Sequence, residues 1–307
     1  MTQKKLPQDK ITNTSEFKTG YIVIAGRPNV GKSTLLNQIL GQKIAIISEK
    51  PNTTRNRILG VKTLSNAQLV FLDTPGIHHP KKQLNKYMVH QALRCAQEAD
   101  LCYLMIQADE PWLEDDLLSL DNLKKLSLPI ILVINKIDLV AKSEILPIIE
   151  HSTKLTEFKE IIPISALYAD GIDPLINVSI QYLPPAPALF PEDMLTDQAE
   201  RFIVSEIIRE KLFLYTHQEV PYSTAVVVEE WKEKENLIYI KAIIYLERES
   251  QKGIVIGEQG KMIKKIGQSA REDIEQLLGS KVYLELKVKI SKNWTQDPKA
   301  LQKFGYR

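Results

Sequence analysis

The feature that most constrains this chain is an eight-residue run, Gly26-Arg27-Pro28-Asn29-Val30-Gly31-Lys32-Ser33. It stands between the apolar stretch YIVIA (21–25) and an amphipathic stretch over 32–40. The run fits G-x-x-x-x-G-K-[ST], with Thr34 next in line. Its glycines let the backbone curl so that N–H groups point inward at phosphate oxygens, and the helix start adds the positive end of its dipole. Lys32 then suits β- and γ-phosphates, and the Ser33 hydroxyl suits Mg²⁺. A strand must deliver such a loop and a helix must leave it, which narrows the fold to alternating β and α elements.

The chain keeps that alternation. LVFLD (69–73), LCYLMI (101–106), IILVIN (130–135) and IIPIS (161–165) read as buried strands. Stretches 84–98, 113–126, 143–158 and 173–182 read as helices, and 57–64 with 68–72 as a hairpin turning at Ser65-Asn66. This predicts a doubly wound α/β domain with a mostly parallel sheet over 17–183. Residues 1–16 are polar and read as a disordered tail. Pro184, Pro185, Pro187 and Pro191 make 184–193 an extended linker. Over 194–307 the pattern is a helix (199–214), paired strands (224–231 and 236–248), a helix (261–278), a strand (282–290) and a short last helix (300–304). The order α-β-β-α-β predicts an α+β module, and 307 residues accommodate both domains.

No apolar run reaches the length of a transmembrane helix, and the N-terminus lacks the apolar core of a secretory signal. Cys95 and Cys102 fit neither a zinc nor a redox spacing and are expected to be buried thiols in a reducing cytosol. The net charge of +2 hides an uneven distribution, because 253–307 carries 11 Lys+Arg against 6 Asp+Glu. A basic C-terminal end suits a polyanion.

Further motifs sit where chemistry at the phosphate loop needs them. Asp73-Thr74-Pro75-Gly76-Ile77 follows a strand, so Asp73 can hold Mg²⁺ through water and the Gly76 N–H can sense a γ-phosphate. Between it and the phosphate loop, Pro51-Asn52-Thr53-Thr54-Arg55 reads as a switch that brings a threonine, Thr54 in preference to Thr53, onto Mg²⁺. Asn135-Lys136-Ile137-Asp138 ends another strand. The Asp138 carboxylate can accept from the ring N–H and exocyclic amine that guanine, unlike adenine, presents side by side. Asn135 can brace the loop, the Lys136 stem can lie on the base, and Ser165-Ala166-Leu167 can supply a backbone N–H to the guanine carbonyl.

GRPNVGKS, PNTTR, DTPG, NKID and ISA, followed by a module containing VIGEQG, resemble the Era-type GTPases. These are bacterial Ras-like proteins with a GTPase domain and a C-terminal KH domain. The resemblance spans about residues 20–307 and includes LPPAPALFPED, VSEIIREKL (204–212) and FGY (304–306). It implies a type II KH fold, hydrolysis of GTP to GDP and phosphate with Mg²⁺, and contact with small-subunit ribosomal RNA near its 3′ end during assembly of the small ribosomal subunit. It also implies a cytoplasmic monomer, with peripheral association at the inner face of the cell membrane as a further expectation. Ile77 stands where Ras carries a water-orienting Gln, and the family similarly has an apolar residue there. Arg55 and Arg57 are candidates for an internal arginine finger, with structural or RNA-facing roles equally open. In related GTPases an Asn at the position of Asn29 helps coordinate K⁺ across the phosphates.

Gly257-Glu258-Gln259-Gly260, placed between a strand and a helix, fits the GXXG loop that clamps four nucleotides in a KH fold. Along the next helix Ile263, Ile266, Ala270, Ile274 and Leu277 should face the core, leaving Lys261, Lys264, Lys265 and Arg271 for phosphates. Glu258 is an acid where many such loops carry a base, and should weaken the affinity. Trp294 and Tyr306 could stack on bases, burial being the alternative for Trp294. Two other functions compete: a membrane-associated signalling GTPase whose C-terminal domain binds protein or lipid, and a P-loop kinase. NKID and ISA disfavour the kinase, since they select guanine and leave no second-substrate site.

Overall fold

The structure, a computed structural model, describes residues 17–48, 50, 53–77 and 83–306. The expected tail and Asn52 lie outside the described residues. Strand β1 (Lys18–Ala25) runs into the glycine loop and helix α1 (Lys32–Leu40). Its inner residues Ile22, Val23 and Ile24 are all buried, because this sheet is covered on both faces and its strands need not alternate. β2 (Ile58–Thr63) and β3 (Ala67–Asp73) form the expected antiparallel hairpin. β4 (Leu101–Gln107), β5 (Ile130–Asn135) and β6 (Glu160–Pro163) complete a sheet of order β2-β3-β1-β4-β5-β6, parallel from β3 onward. Helices α1 and α5 (Ile172–Tyr182) cover one face; α2 (Gln83–Gln97), α3 (Glu114–Lys124) and α4 (Lys142–Leu155) cover the other. Parallel strands bring their carboxyl ends to one edge, which gathers the motif-bearing loops there. Cys95 and Cys102 are buried free thiols.

The proline segment has no helix, bends at 189–190, turns at 192–193 and is stitched to the sheet. Thr19 N donates to Pro184 O (3.1 Å) and Ala186 N to Phe17 O (3.0 Å). The Gln68 side chain accepts from the N–H groups of Leu189 and Phe190 and donates to Phe190 O. It is a strap along β1 and β3.

The C-terminal part contains α6 (Glu200–Tyr215), β7 (Ala225–Lys234), β8 (Leu237–Leu246), α7 (Glu249–Ile256), α8 (Lys261–Leu278), β9 (Val282–Ile290) and α9 (Pro298–Lys303). β7 pairs antiparallel with β8, and β8 parallel with β9, under α6 and α8. The order is therefore α-β-β-α-α-β, the type II KH arrangement, and the sequence expectation of a strand before the GXXG loop is corrected to a helix. Ile254-Val255-Ile256 has strand propensity. The segment is nonetheless capped as a helix: Gln251 Oε1 accepts from the N–H groups of Glu247 and Arg248 (3.0 and 3.1 Å), and Val255 alone of the three is fully buried. In α8, Ile266, Ala270 and Ile274 are buried as expected, whereas Ile263 and Leu277 are only partly so.

Stacking of Tyr306 on a base is corrected too, and of the two readings of Trp294 it is burial that holds. Both residues are buried, stacked on each other with centroids 5.7 Å apart, and Trp294 Nε1 donates to Ser223 O (2.9 Å). With Leu84, Met88 and Phe304 they form an apolar cluster between the two parts of the molecule, so neither is open to a base.

Candidate functional site

The loops leaving β1, β5 and β6 meet, with Gly76 from the loop after β3, over a cleft of about 670 Å³. Gly31 has φ 102°, and a Cβ there would stand 2.2 Å from Asn135 Nδ2, so only glycine lets the phosphate loop approach the β5 loop. Asn29, at φ 67°, occupies the left-handed region that asparagine tolerates better than most residues. The Lys32 ammonium donates to the carbonyls of Gly26 (3.1 Å) and Arg27 (2.8 Å). Burial lowers its pKa to about 8, with Asp73 and Asp116 resisting the fall.

Three oxygens converge beside it. Ser33 Oγ donates to Asp73 Oδ2 at 2.7 Å and lies 2.9 Å from Thr54 Oγ1. Burial pushes the Asp73 carboxyl up to about 6, against the Ser33 hydroxyl and the Lys32 charge. Asp73 Oδ1 is buried without a hydrogen-bond partner among the described residues. A hydroxyl pair and a carboxylate with an unused oxygen suit a small, hard cation such as Mg²⁺. Gly76 lies against the phosphate loop, where a Cβ would stand 2.6 Å from Pro28 N.

At the other end, Asn135 Nδ2 donates to Val30 O (2.7 Å) and Asn135 Oδ1 accepts from Ala166 N (2.9 Å), tying three motifs together. Asp138 Oδ1 accepts from Ser165 Oγ at 2.5 Å. Lys136 Nζ donates to Gln107 Oε1 (2.6 Å). Gln107 was not legible as a site residue; its one signal is a polar side chain closing the apolar strand β4.

The side chains of several motif residues are turned into the scaffold. Val30, Pro75 and Ile77 are buried, the Thr74 hydroxyl donates to Ile24 O, and Ile137 packs against the core. Ile77 therefore cannot orient water. The Arg27 side chain donates to Asp116 (3.1 Å) in the first turn of α3 and to the Glu110 carbonyl (3.1 Å) in the loop before it. Neither candidate finger reaches the cleft. Arg57 pairs with Asp197 at 3.2 Å, and the buried Arg55 guanidinium donates to Pro221 O, Tyr222 O, Thr224 O and Tyr306 Oη. Thr53 and Thr54 are buried at the cleft wall.

On the second unit, Glu258 and Gln259 are exposed at the turn between α7 and α8, followed by exposed Lys261, Lys264, Lys265 and Arg271. Lys265 Nζ lies 4.3 Å from the centre of the Tyr215 ring, so part of its charge is already engaged.

A family profile described as 50S ribosome-binding GTPase matches residues 21–136, and one described as KH domain matches residues 219–295. The GTPase Era of Geotalea uraniireducens (strain Rf4) is 53% identical over 292 residues, covering 95% of this chain and 98% of that protein. The chain belongs to the Era GTPase family. The GTPase Era of Syntrophus aciditrophicus (strain SB) is 50% identical, over 94% of this chain and 95% of its own length. The crystal structure of Era in complex with MgGDPNP and nucleotides 1506–1542 of 16S ribosomal RNA aligns with a TM-score of 0.92 at 46% identity, covering 94% of this chain and 99% of that one. An Aquifex aeolicus Era variant bound to GDP and AlF4⁻ aligns at 0.91 and 45%, with the same coverage. The chain is thus an Era-type GTPase, with a P-loop unit and a KH unit.

Proposed function

We propose that this chain is a Mg²⁺-dependent GTP-hydrolysing switch that binds the 3′ end of small-subunit ribosomal RNA and acts, as a cytoplasmic monomer, in assembly of the small ribosomal subunit. Residues 17–183 form the GTPase unit, 184–193 the connection and 194–307 the RNA-binding unit. The convergence of Ser33, Thr54 and Asp73 beside Lys32 carries the nucleotide half of this reading. The RNA half draws on the alignment with the Era complex that contains 16S ribosomal RNA.

The backbone of 26–34 cradles the phosphates, and Lys32 turns from the loop carbonyls to the β- and γ-oxygens. Bound Mg²⁺, on Ser33, Thr54 and through water Asp73, would neutralise charge on those oxygens. Thr54 comes from a loop and its hydroxyl, 2.9 Å from Ser33 Oγ, would ligate the metal only while the γ-phosphate is bound, which makes the segment a switch. Asp138, steadied by Ser165, accepts from guanine, Lys136 covers the base, and the 165–167 backbone faces its carbonyl. With Ile77 buried and both arginines committed elsewhere, Asn29 would help hold a K⁺ that would supply the charge of an arginine finger.

RNA lies along 257–260 and the start of α8, with Lys261, Lys264 and Arg271 on phosphates and Glu258 limiting the affinity. No helix among the described residues is long and apolar enough to cross a membrane, and the membrane-signalling alternative rests on surface charge alone. The test is fluorescence anisotropy across a salt series with an RNA matching the small-subunit 3′ end. Lys264→Ala should flatten the log–log salt slope by about 0.7, one phosphate contact on a single strand, and leave GTP binding intact. An unchanged slope for both Lys261→Ala and Lys264→Ala would place the RNA surface elsewhere.

A further inference from the structure

The described part of segment 43–55 lies along α6 of the C-terminal unit. Lys43 sits between Glu210 (2.7 Å) and Asp273 (2.9 Å). Lys50 donates to the carbonyls of Phe213 and Thr216 at the end of α6. Arg209, 1% exposed and held by Glu206 through Nε (2.8 Å), donates through Nη2 to the carbonyl of Thr53. Arg55, 2% exposed, sends Nη1 to Thr224 O (2.7 Å) and Tyr306 Oη (3.1 Å), and Nη2 to Pro221 O and Tyr222 O (3.1 Å each). Its guanidinium carbon lies 5.7 Å from the centre of the Trp294 ring.

Thr54 is the residue between these two anchors, and its hydroxyl is the one at the Ser33 oxygen. Thr53 is held by its own carbonyl and Arg55 by its buried guanidinium, and with consecutive Cα atoms about 3.8 Å apart these two ties limit how far Thr54 can move. The arrangement is costly. Arg55 Nε and Arg209 Nη1 are buried without partners among the described residues, and a buried unmet donor opposes folding. Joining two units needs only apolar packing of the kind Leu84, Met88 and Phe304 already supply. Directional anchors at Thr53 and Arg55 add a defined position.

We propose that Arg55 and Arg209 are positioning residues for GTP hydrolysis, tying the chain on both sides of Thr54 to the C-terminal unit, one by its side chain and the other through the Thr53 carbonyl, so that the Thr54 hydroxyl stays at the metal position. This rests on the reading of Thr54 as a metal ligand. Neither arginine touches nucleotide; both act through Thr54.

The test uses the full chain, with single-turnover GTP hydrolysis followed across a Mg²⁺ titration and GDP affinity measured by calorimetry. Arg209→Ala should raise the Mg²⁺ needed for half-maximal hydrolysis about tenfold, the loss of one charge-assisted hydrogen bond. GDP affinity should stay at the parent value, because a threonine engaged only with the γ-phosphate gives GDP nothing. Arg209→Lys keeps a donor for the Thr53 carbonyl and should recover most of the shift. Arg55→Lys, which keeps a cation among four acceptors where alanine would leave a void, should show a smaller shift of the same sign. Thr54→Ala is the reference and should shift the Mg²⁺ dependence most. If Thr54→Ala shifts it while both arginine positions behave as the parent, the positioning role is wrong. Loss of GDP affinity in step with hydrolysis, unrelieved by Arg209→Lys, would show a merely structural arginine and likewise overturn it. A parent-like Mg²⁺ dependence in Thr54→Ala would instead remove the metal reading of Thr54, and the proposal with it.

Discussion

In the proposed reading Asp138 would carry the choice of base on one carboxylate, which accepts from the Ser165 hydroxyl. Asp138→Asn presents an amide donor where xanthine carries a carbonyl, so GTP affinity should fall and xanthosine triphosphate should become the better ligand in a calorimetric titration. Asn29 makes a different demand: phosphate release should be slow and faster in K⁺ than in Na⁺ at fixed Mg²⁺, with Asn29→Ala losing that difference. Cys95 gives a pH signature. Burial pushes its thiol up from 9.0 to about 11. The fold then keeps a proton that the unfolded chain releases, so stability falls as pH rises between about 9 and about 11. The urea midpoint of the parent should drop more steeply from pH 8 to pH 10.5 than that of Cys95→Ala.

Among the elements, the turn between α7 and α8 is the one most dependent on backbone chemistry. Gly257 has φ 71° and ψ 175°, a region essentially closed to other residues, and a Cβ there would stand 2.9 Å from Met262 N. Gly260, at φ 77° and ψ 11°, is left-handed with open space around it. Gly257→Ala should therefore cost about 1–3 kcal/mol in thermal unfolding and Gly260→Ala about 1 kcal/mol, so the reverse ranking would contradict this geometry. The same turn shows why parts of the fold escaped the sequence. The central strands were legible because burial on both faces leaves unbroken apolar runs such as LCYLMI. Helix α7 was not, because Ile254-Val255-Ile256 favours a strand locally and the helix is decided by the Gln251 cap and the packing of Val255. The loops that gather at the cleft were legible since their motifs are packed into consecutive residues. Gln107 and Arg209 reach their partners 29 and 156 residues away, and no local pattern encodes that pairing.

Across the whole molecule, Lys43, Lys50, Arg55 and Arg209 bind the two units along one seam, with the Trp294 cluster beside it. The nucleotide-free protein should unfold in one calorimetric transition, and Lys43→Ala combined with Arg55→Ala should split it into two. A single transition in the double variant would show that these ties are not what couples the units. The proline strap sets a further bound. Its last stitches to the sheet are Val61 N to Leu195 O (2.8 Å) and Thr196 Oγ1 to Leu59 O (2.6 Å), and α6 begins at Glu200. Beyond them Asp197 reaches back through its ion pair with Arg57 (3.2 Å), so 197–199 is a short leash, with a reach of about 10 Å when that pair opens and the segment extends. An α6 that lets go of the seam therefore cannot diffuse away. It returns at an effective concentration in roughly the millimolar range or above, so the turnover of each molecule should not change with dilution. Proteolytic nicking at 197–199 would convert that return into a bimolecular event, and turnover would then depend on protein concentration.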